Sequence, residues 1–134
     1  MAEHFFDTNV LLHLLSEDPA KADVAEAALG RGGHLSVQVL NEFTAVARRK
    51  ARLAWSEVDE VLDPVRSVCT VHPLTSETYD RARHLAERHL LGVWDAVIVA
   101  SALIARCTVL LTEDLQHGQK FEGLTVRNPF RSVA

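Results

Sequence analysis

The sequence lacks the features that mark several protein classes. Only two of its 134 residues are cysteines, and both stand among apolar neighbours, so a disulfide-stabilised scaffold is not indicated. The longest apolar run, residues 96–100, is too short to span a bilayer even when residues 102–105 are added to it. No basic segment precedes an apolar one at the N-terminus, so a secretory signal is not expected. We therefore predict a cytoplasmic protein with no membrane segment.

Positive charge is also scarce. The chain has 14 lysines and arginines against 18 acidic residues, and its formal net charge is −4. This balance argues against a strong nonspecific nucleic-acid binder. It is compatible with a metal-dependent nuclease, because clustered acids lower the total while bound cations neutralise them locally. Hydrophobic residues make up 48% of the sequence, which together with its length predicts one domain over residues 1–134.

Hydrophobic periodicity predicts that strands alternate with helices. Predicted strands cover residues 4–6, 34–36, 69–72, 108–112 and 124–126. Predicted helices cover 8–15, 18 to about 29, 37–51, a segment starting at Ser56, a segment starting at Thr75 or Ser76, and a buried segment, 94–106. We expect Pro64 to kink or split its helix and Tyr79 to face the core. The alternation implies an α/β fold in which helices flank a short, mostly parallel sheet.

Four acidic residues stand where an uncompensated charge costs on the order of several kcal/mol. Asp7 follows an apolar pair, Glu42 lies in a helix, Asp95 opens an apolar run and Asp114 follows a predicted strand. Sites in parallel sheets form beyond the carboxyl ends of strands, so acids from distant segments could converge there. A shared divalent cation, and hence phosphoryl chemistry, is the leading hypothesis.

Each acid also has an ordinary structural explanation. Asp7 could cap the helix that follows it, and Glu42 could lie at the core boundary with its tip in water. Asp95 falls in a first helical turn, where the helix dipole favours an anion. Asp114 has a competitor in the adjacent Glu113. Taken one at a time, these residues leave both explanations open.

Four segments taken together resemble a known family. They are FFDTNVL at 5–11, SVQVLNEF at 36–43, VWDA at 93–96 and LTEDLQHG at 111–118. In this order and at these intervals, with Asn128-Pro129-Phe130 near the end, they resemble PIN-domain ribonucleases, and among these the VapC toxins of VapBC toxin–antitoxin modules. The resemblance covers essentially the full length. It implies a single PIN domain with a three-layer α/β fold.

The resemblance implies an endoribonuclease that needs Mg²⁺ or Mn²⁺ and leaves a 5′-phosphate and a 3′-hydroxyl. It assigns Asp7, Asp95 and Asp114 as metal ligands. It implies that Glu42 binds the metal through a water or orients the attacking water. The implied partners are an RNA substrate, either a transfer or a ribosomal RNA, a second copy of the chain, and a cognate VapB-type antitoxin. The region of Leu11, Leu12 and Leu15 and the helix from Val37 are candidate antitoxin contacts.

The family pattern places the fourth acid two positions after Thr112, which selects Asp114 and leaves Glu113 to face solvent. Thr8, Asn9 and Thr112 are candidates to support the carboxylates, a metal-bound water or a phosphate. Alternatively, these three side chains form local hydrogen bonds to the backbone at the ends of helices and strands.

Other interpretations compete with this one. The fold could be a noncatalytic RNA-binding or scaffold module that keeps its acids for folding. A phosphohydrolase with an aspartyl nucleophile is disfavoured, since that chemistry requires a second aspartate where Asn9 stands. The basic run 48–52 could contact an RNA backbone, although cations at a helix C-terminus are the favoured explanation. Trp94 is expected to pack in the core or at its rim rather than to serve as a base-stacking platform.

Overall fold

Strands and helices alternate along residues 3–132, the part of the chain that the computed structural model describes. The strands are β1 (His4–Phe6), β2 (Gly33–Ser36), β3 (Cys69–His72), β4 (Val109–Leu111), β5 (Lys120–Phe121) and β6 (Leu124–Arg127). The helices are α1 (Thr8–Leu12), α2 (Pro19–Gly30), α3 (Val37–Arg49), α4 (Trp55–Val68), α5 (Ser76–His89) and α6 (Val93–Ile104). A 3₁₀ turn, His13–Leu15, extends α1, so the predicted helix over 8–15 is present in two parts.

The strands form one mostly parallel sheet in the order β3-β2-β1-β4-β6-β5. β1 pairs in parallel with β2 on one side and with β4 on the other. β2–β3 and β4–β6 are also parallel, and β5 alone runs antiparallel to its neighbour β6. The predicted α/β fold with a mostly parallel sheet is confirmed.

Helices flank both faces of the sheet. From β1 the chain moves outward to β2 and β3, and it then crosses back over them to β4 on the other side of β1. Because parallel crossovers are right-handed, this reversal puts α1–α4 on one face and α5–α6 on the other. The packing agrees: α3 contacts α1 and α4, whereas α5 packs chiefly against α6. The fold therefore has three layers.

The reversal of strand order creates a crevice at the carboxyl ends of β1 and β4, where parallel α/β sheets commonly bind ligands. The two ends are held side by side, since the backbone N–H of Asp7 donates to the carbonyl of Leu111 at 3.0 Å. Residues that directly follow these two strands must consequently lie next to each other.

The core lies between the sheet and its two helical layers. Phe5, Phe6 and Leu110 are fully buried, and so is Val99 on α6. α6 is the buried helix that its composition predicts from Ala96 onward. Its first two residues, Val93 and Trp94, are instead exposed.

The prediction for α4 was wrong at two points. The helix begins at Trp55 rather than after Ser56, because the Glu57 carboxylate accepts the Ala54 backbone N–H at 2.8 Å and closes the first turn. Pro64 does not split the helix, which continues to Val68. Pro64 and the residue four positions earlier are both exposed, so water can replace the missing backbone hydrogen bond.

Two further predictions need correction. Tyr79 faces solvent with 66% of its surface exposed, because the buried stripe of α5 runs through Thr78, Ala82 and Leu85 instead. The two-residue strand β5 was not predicted, since Lys120 and Phe121 are too few to show any periodicity.

The sequence contains no predicted membrane segment and no predicted disulfide scaffold. No helix within residues 3–132 is long and apolar enough to cross a membrane. Cys69 and Cys107 are buried and unpaired, and burial raises the pKa of the Cys107 thiol to about 12. Both thiols are consequently poor nucleophiles.

Gly33 allows β2 to pair closely with β1. A Cβ at Gly33 would lie 2.7 Å from both the His4 carbonyl oxygen and the edge of the Phe6 ring. We therefore predict that Gly33→Ala lowers the free energy of unfolding by roughly 2 kcal/mol, as expected for overpacking. Gly123→Ala is the matched control, since a Cβ there meets nothing within 4 Å. Urea denaturation measures both, and equal stability of the two variants would contradict this packing.

Candidate functional site

A cavity of about 210 Å³ opens at the carboxyl edge of the sheet. Its lining comprises Asp7, Thr8, Asn9, Leu12, Gln38, Glu42, Val46, Trp94, Asp95, Ile98 and Asp114. The four acids selected from the sequence therefore reach one cavity, although they come from the end of β1, from α3, from α6 and from the loop after β4.

Asp7 lies at the bottom of this arrangement and is 5% exposed. One carboxylate oxygen, Oδ1, accepts the Thr8 backbone N–H at 2.7 Å and caps α1. The other, Oδ2, accepts the Thr112 hydroxyl at 2.8 Å. Burial raises the pKa of Asp7 to about 6, with added repulsion from Asp114 and Asp95, against the opposing effect of these two hydrogen bonds. Asp7 is thus both a cap and a carboxylate that is costly to ionise.

Asn9 and Thr112 join Asp7 to Asp114. The Asn9 amide donates to Thr112 Oγ1 at 3.0 Å and to Asp114 Oδ2 at 3.1 Å. Its oxygen accepts the Glu113 backbone N–H at 3.3 Å, while Thr112 Oγ1 accepts that of Asp114 at 3.0 Å. The Thr112 hydroxyl donates its single hydrogen to Asp7, and its two lone pairs accept the Asn9 amide and the Asp114 backbone N–H. These contacts fix the loop after β4 against α1.

Glu42 is held by two side chains. Thr8 Oγ1 donates to Glu42 Oε1 at 2.7 Å, and Gln38 Nε2 donates to the same oxygen at 3.2 Å. Gln38 Nε2 also lies 3.4 Å from the Trp94 carbonyl oxygen, so it links α3 to the first turn of α6. Gln38 was not among the site residues predicted from the sequence. Its signal is the spacing of four residues from Glu42, which puts both side chains on one helix face.

The acids repel one another across the cavity. Asp95 lies in the first turn of α6, and burial raises its pKa, followed by the charges of Asp114 and Glu42. Asp7 is affected in the same way by Asp114 and Asp95. Carboxylates arranged like this take up protons unless a cation compensates their charge.

Comparison with protein families matches residues 4–120 to the PIN domain. The chain belongs to the PIN domain family. No curated protein matches the sequence. The family assignment confirms the resemblance at the level of the domain.

Several solved structures resemble this PIN domain. A toxin–antitoxin complex from Klebsiella pneumoniae is 21% identical over 95% of this chain and 98% of that one, with a TM-score of 0.70. Mycobacterium tuberculosis VapC20, described as a sarcin–ricin loop cleaving toxin, is 18% identical over 81% and 87%, with a TM-score of 0.65. FitAB bound to an IR36 DNA fragment is 20% identical over 96% of each chain, with a TM-score of 0.67. At such identities the similarity shows the fold.

The acidic cavity of this PIN domain offers an oxygen-only donor set, which suits Mg²⁺ or Mn²⁺. Within residues 3–132, however, no three Asp, Glu, His or Cys side chains converge closely enough to hold an ion by themselves. Mg²⁺ does not need such a cage, because it keeps several waters and commonly uses one or two carboxylates together with substrate phosphates. The residues therefore fit a hydrated ion that substrate helps to bind, and they do not form a closed structural site.

Several side chains near the cavity have other roles. Glu113 is exposed, as predicted, and its carboxylate lies 2.9 Å from His13 Nε2. In the basic run, Arg48 donates to the Leu53 carbonyl at 2.9 Å and stacks 4.4 Å above the Trp55 ring. Arg48 therefore completes the end of α3, which favours the structural explanation at that position.

One candidate antitoxin contact was wrong. Leu11 is completely buried in the core and cannot meet a partner. Its neighbours Leu12 and Leu15 are half-buried and keep part of their surface accessible. The error arose because the short helix α1 packs against α3 and is buried from Thr8 to Leu11.

The raised pKa of Asp7 predicts a pH-dependent cost. Between pH 4 and about 6 the folded protein holds a proton that the unfolded chain releases, so stability falls as pH rises through this window. Asp7→Asn removes this titration. For each pH, the melting temperature of wild type is subtracted from that of Asp7→Asn. In metal-free buffer we expect this difference to increase by about 4 °C or more from pH 4 to pH 7.

The exposed Asp63 on α4 provides the control, since Asp63→Asn should show no such trend. Calorimetry at several pH values measures all three proteins. A constant difference between Asp7→Asn and wild type would show that Asp7 ionises as readily in the folded protein as in the unfolded chain.

Proposed function

We propose that this PIN domain is a metal-dependent endoribonuclease and acts as the toxin of a VapBC-type toxin–antitoxin module. The observation that carries the proposal is the meeting of Asp7, Glu42, Asp95 and Asp114 in one cavity at the switch point of the sheet. Its support comes from the description of VapC20 as a toxin that cleaves the sarcin–ricin loop. The proposed cofactor is Mg²⁺ or Mn²⁺, held by Asp7, Asp95 and Asp114.

The proposed reaction is the hydrolysis of an RNA phosphodiester bond. When bound, the ion would lower the pKa of a water and stabilise charge on the leaving oxygen. Thr8 and Thr112 hold the two oxygens of Asp7, and Asn9 orients the Asp114 carboxylate. These bonds preorganise the acids, so little reorganisation is required when substrate arrives.

Glu42 is suited to act on the attacking water. Thr8 and Gln38 both donate to its Oε1, which fixes the carboxylate and keeps Oε2 for a further contact. A carboxylate held in this manner can orient a water and accept its proton. We assign this role to Glu42, whereas Asp7, Asp95 and Asp114 would hold the hydrated ion directly or through its waters.

Among the proposed partners, the antitoxin has support from similar structures. One similar structure is a toxin–antitoxin complex, and another is VapBC2 from Rickettsia felis bound to a promoter DNA fragment, 18% identical with a TM-score of 0.65. We propose a VapB-type antitoxin and a homodimer for this chain, a transfer or ribosomal RNA as substrate, and a cytoplasmic location. Leu12, Leu15 and the exposed Val37 are the surface residues we assign to the antitoxin contact.

The alternative is a noncatalytic RNA-binding or scaffold module. The lack of a closed three-ligand cluster within residues 3–132 favours it. The two functions make opposite predictions about metal. A scaffold binds RNA equally with and without a divalent ion and leaves it intact.

Replacing the acids tests the proposal. Purified protein free of antitoxin should cut RNA with Mg²⁺ or Mn²⁺ and stop cutting with chelator. Asp95→Asn should lower cleavage by about 100-fold or more, because removal of groups that stabilise the transition state has effects of this size. Glu42→Gln should lower it similarly, and Asp63→Asn should match wild type. Gel analysis of 5′-labelled RNA measures cleavage, and circular dichroism verifies folding. Undiminished cleavage by both Asp7→Asn and Asp95→Asn would falsify the metal-site assignment.

Metal binding should also be visible without substrate. An ion that binds only the folded state stabilises it by about 1.4 kcal/mol at ten times its dissociation constant. We expect millimolar Mg²⁺ to raise the melting temperature of wild type at pH 7.5 by about 4 °C, and to leave Asp95→Asn unchanged. The rise should be smaller at pH 5, where Asp7 is mostly protonated. An identical rise in both proteins would mean that the ion binds elsewhere.

A further inference from the structure

Trp94 projects from the first turn of α6 directly before Asp95, and 64% of its surface is exposed. Of the two packing positions expected for Trp94, the core is therefore wrong, and the ring lies at the rim. Large aromatic rings left open to water beside a functional cavity commonly mark a binding surface. The ring belongs to the wall of the acidic cavity.

A second cavity adjoins the acidic one. Its volume is also about 210 Å³, and its lining comprises Gln38, Asn41, Glu42, Leu74 and Trp94. Gln38, Glu42 and Trp94 line both cavities, so they form the ridge between them. A polymer that leaves the acidic cavity over this ridge has the second cavity within reach.

The ridge is held in place by hydrogen bonds. Gln38, itself only 4% exposed, reaches the Trp94 carbonyl and Glu42 Oε1 with the same amide nitrogen. Thr8 fixes Glu42 from the opposite side at 2.7 Å. The backbone that carries the indole is thus tied to the residues that position a catalytic carboxylate.

The walls of the second cavity suit a nucleobase. The Trp94 indole offers a flat aromatic face, Leu74 an aliphatic surface that is 41% exposed, and Asn41 an exposed amide with both donors and an acceptor. Aromatic faces stack on unpaired bases, and amides read base edges. The cavity is too small for a partner helix, which is about 10 Å across. The carboxylate of Glu42 on its wall disfavours a free anion.

We propose that this second cavity is a nucleobase subsite, in which an unpaired RNA base stacks on Trp94 while the adjoining phosphate enters the acidic cavity. The inference rests on the proposed ribonuclease function and narrows its substrate to RNA with an unstacked base at the cut. With a net charge of −4 the protein attracts a phosphate backbone only weakly, so base stacking supplies a larger share of recognition.

Tryptophan fluorescence tests the subsite directly. The chain has two tryptophans, so Trp55→Phe leaves Trp94 as the only one. We expect a mixed-sequence, single-stranded RNA decamer to quench the fluorescence of Trp94 until binding is saturated. Quenching is measured first in the presence of chelator and then with Mg²⁺, directly after mixing. An abasic decamer with the same sugar–phosphate backbone should not quench this fluorescence. Equal quenching by both decamers, or by neither, would overturn the subsite.

Binding of a labelled decamer, followed by anisotropy, measures the contribution of the ring. Trp94→Ala should weaken binding about tenfold or more, the range expected for loss of one stacked base. Trp94→Phe should recover most of the affinity, since it retains an aromatic face. Trp55→Ala is the matched control: Trp55 is equally exposed at 63% but packs beneath Arg48, and its loss should leave binding unchanged.

The subsite and the nuclease activity can fail separately. Trp94 quenching by the RNA decamer without any cleavage would support the subsite and overturn the proposed enzyme. Metal-dependent cleavage that is identical in wild type and Trp94→Ala would overturn the subsite and leave the enzyme standing. Trp94 emission that shifts with protein concentration and ignores RNA would assign the ring to a contact between two copies of the chain, which also overturns the subsite.

Discussion

The parallel pairing of β1 with β4 is the constraint on which the site depends. It aligns Phe6 with Leu111, so Asp7 and Thr112 emerge side by side at the same edge of the sheet. The backbone bond from Asp7 to Leu111 and the side-chain bond from Thr112 to Asp7 both follow from this register. A shift by one residue would turn either side chain into the opposite face and separate them.

This arrangement places negative charge where the protein alone cannot stabilise it well. Two hydrogen bonds lower the pKa of Asp7. Burial and the charges of Asp114 and Asp95 raise this pKa by more, so its value is about 6. Functional sites often retain such a cost because a ligand later compensates it. The donors around the cavity orient the carboxylates without neutralising them. A hydrated cation completed by substrate phosphate is the simplest compensation that agrees with the absence of a closed three-ligand cluster within residues 3–132.

The sequence predicted the features that depend on local pattern. Strand β3 has the predicted bounds, and the helix predicted from residue 18 is present as α2, with the Asp18 carboxylate accepting the Ala20 N–H at 3.0 Å. The four acids could be selected because three of them stand at the ends of apolar elements and Glu42 lies within a helix between apolar residues. The resemblance to PIN domains then set their order, and family comparison agrees with it. Their roles at the site remain predictions.

What the sequence did not predict depends on tertiary contacts. Gln38 links α3 to α6 because the Trp94 carbonyl lies within reach of its amide. The periodicity of the sequence cannot show how two helices are placed relative to each other. The exposure of Trp94 depends on where the first turn of α6 meets the edge of the sheet, and a purely apolar pattern predicted burial there. Tyr79 was misplaced because both Thr78 and Tyr79 have helical spacing to Ala82, and packing buries Thr78 instead. These are the positions at which packing overrides local preference.

The central claim is that Asp7 belongs to a group of carboxylates that together bind a divalent cation. Its most direct test is the pKa of the Asp7 carboxyl carbon, measured by NMR titration without metal and again with Mg²⁺. A shared cation site predicts a value of about 6 without metal and a clear fall when Mg²⁺ is added, because a neighbouring cation favours the ionised form. A value near 4 that Mg²⁺ leaves unchanged would contradict the claim.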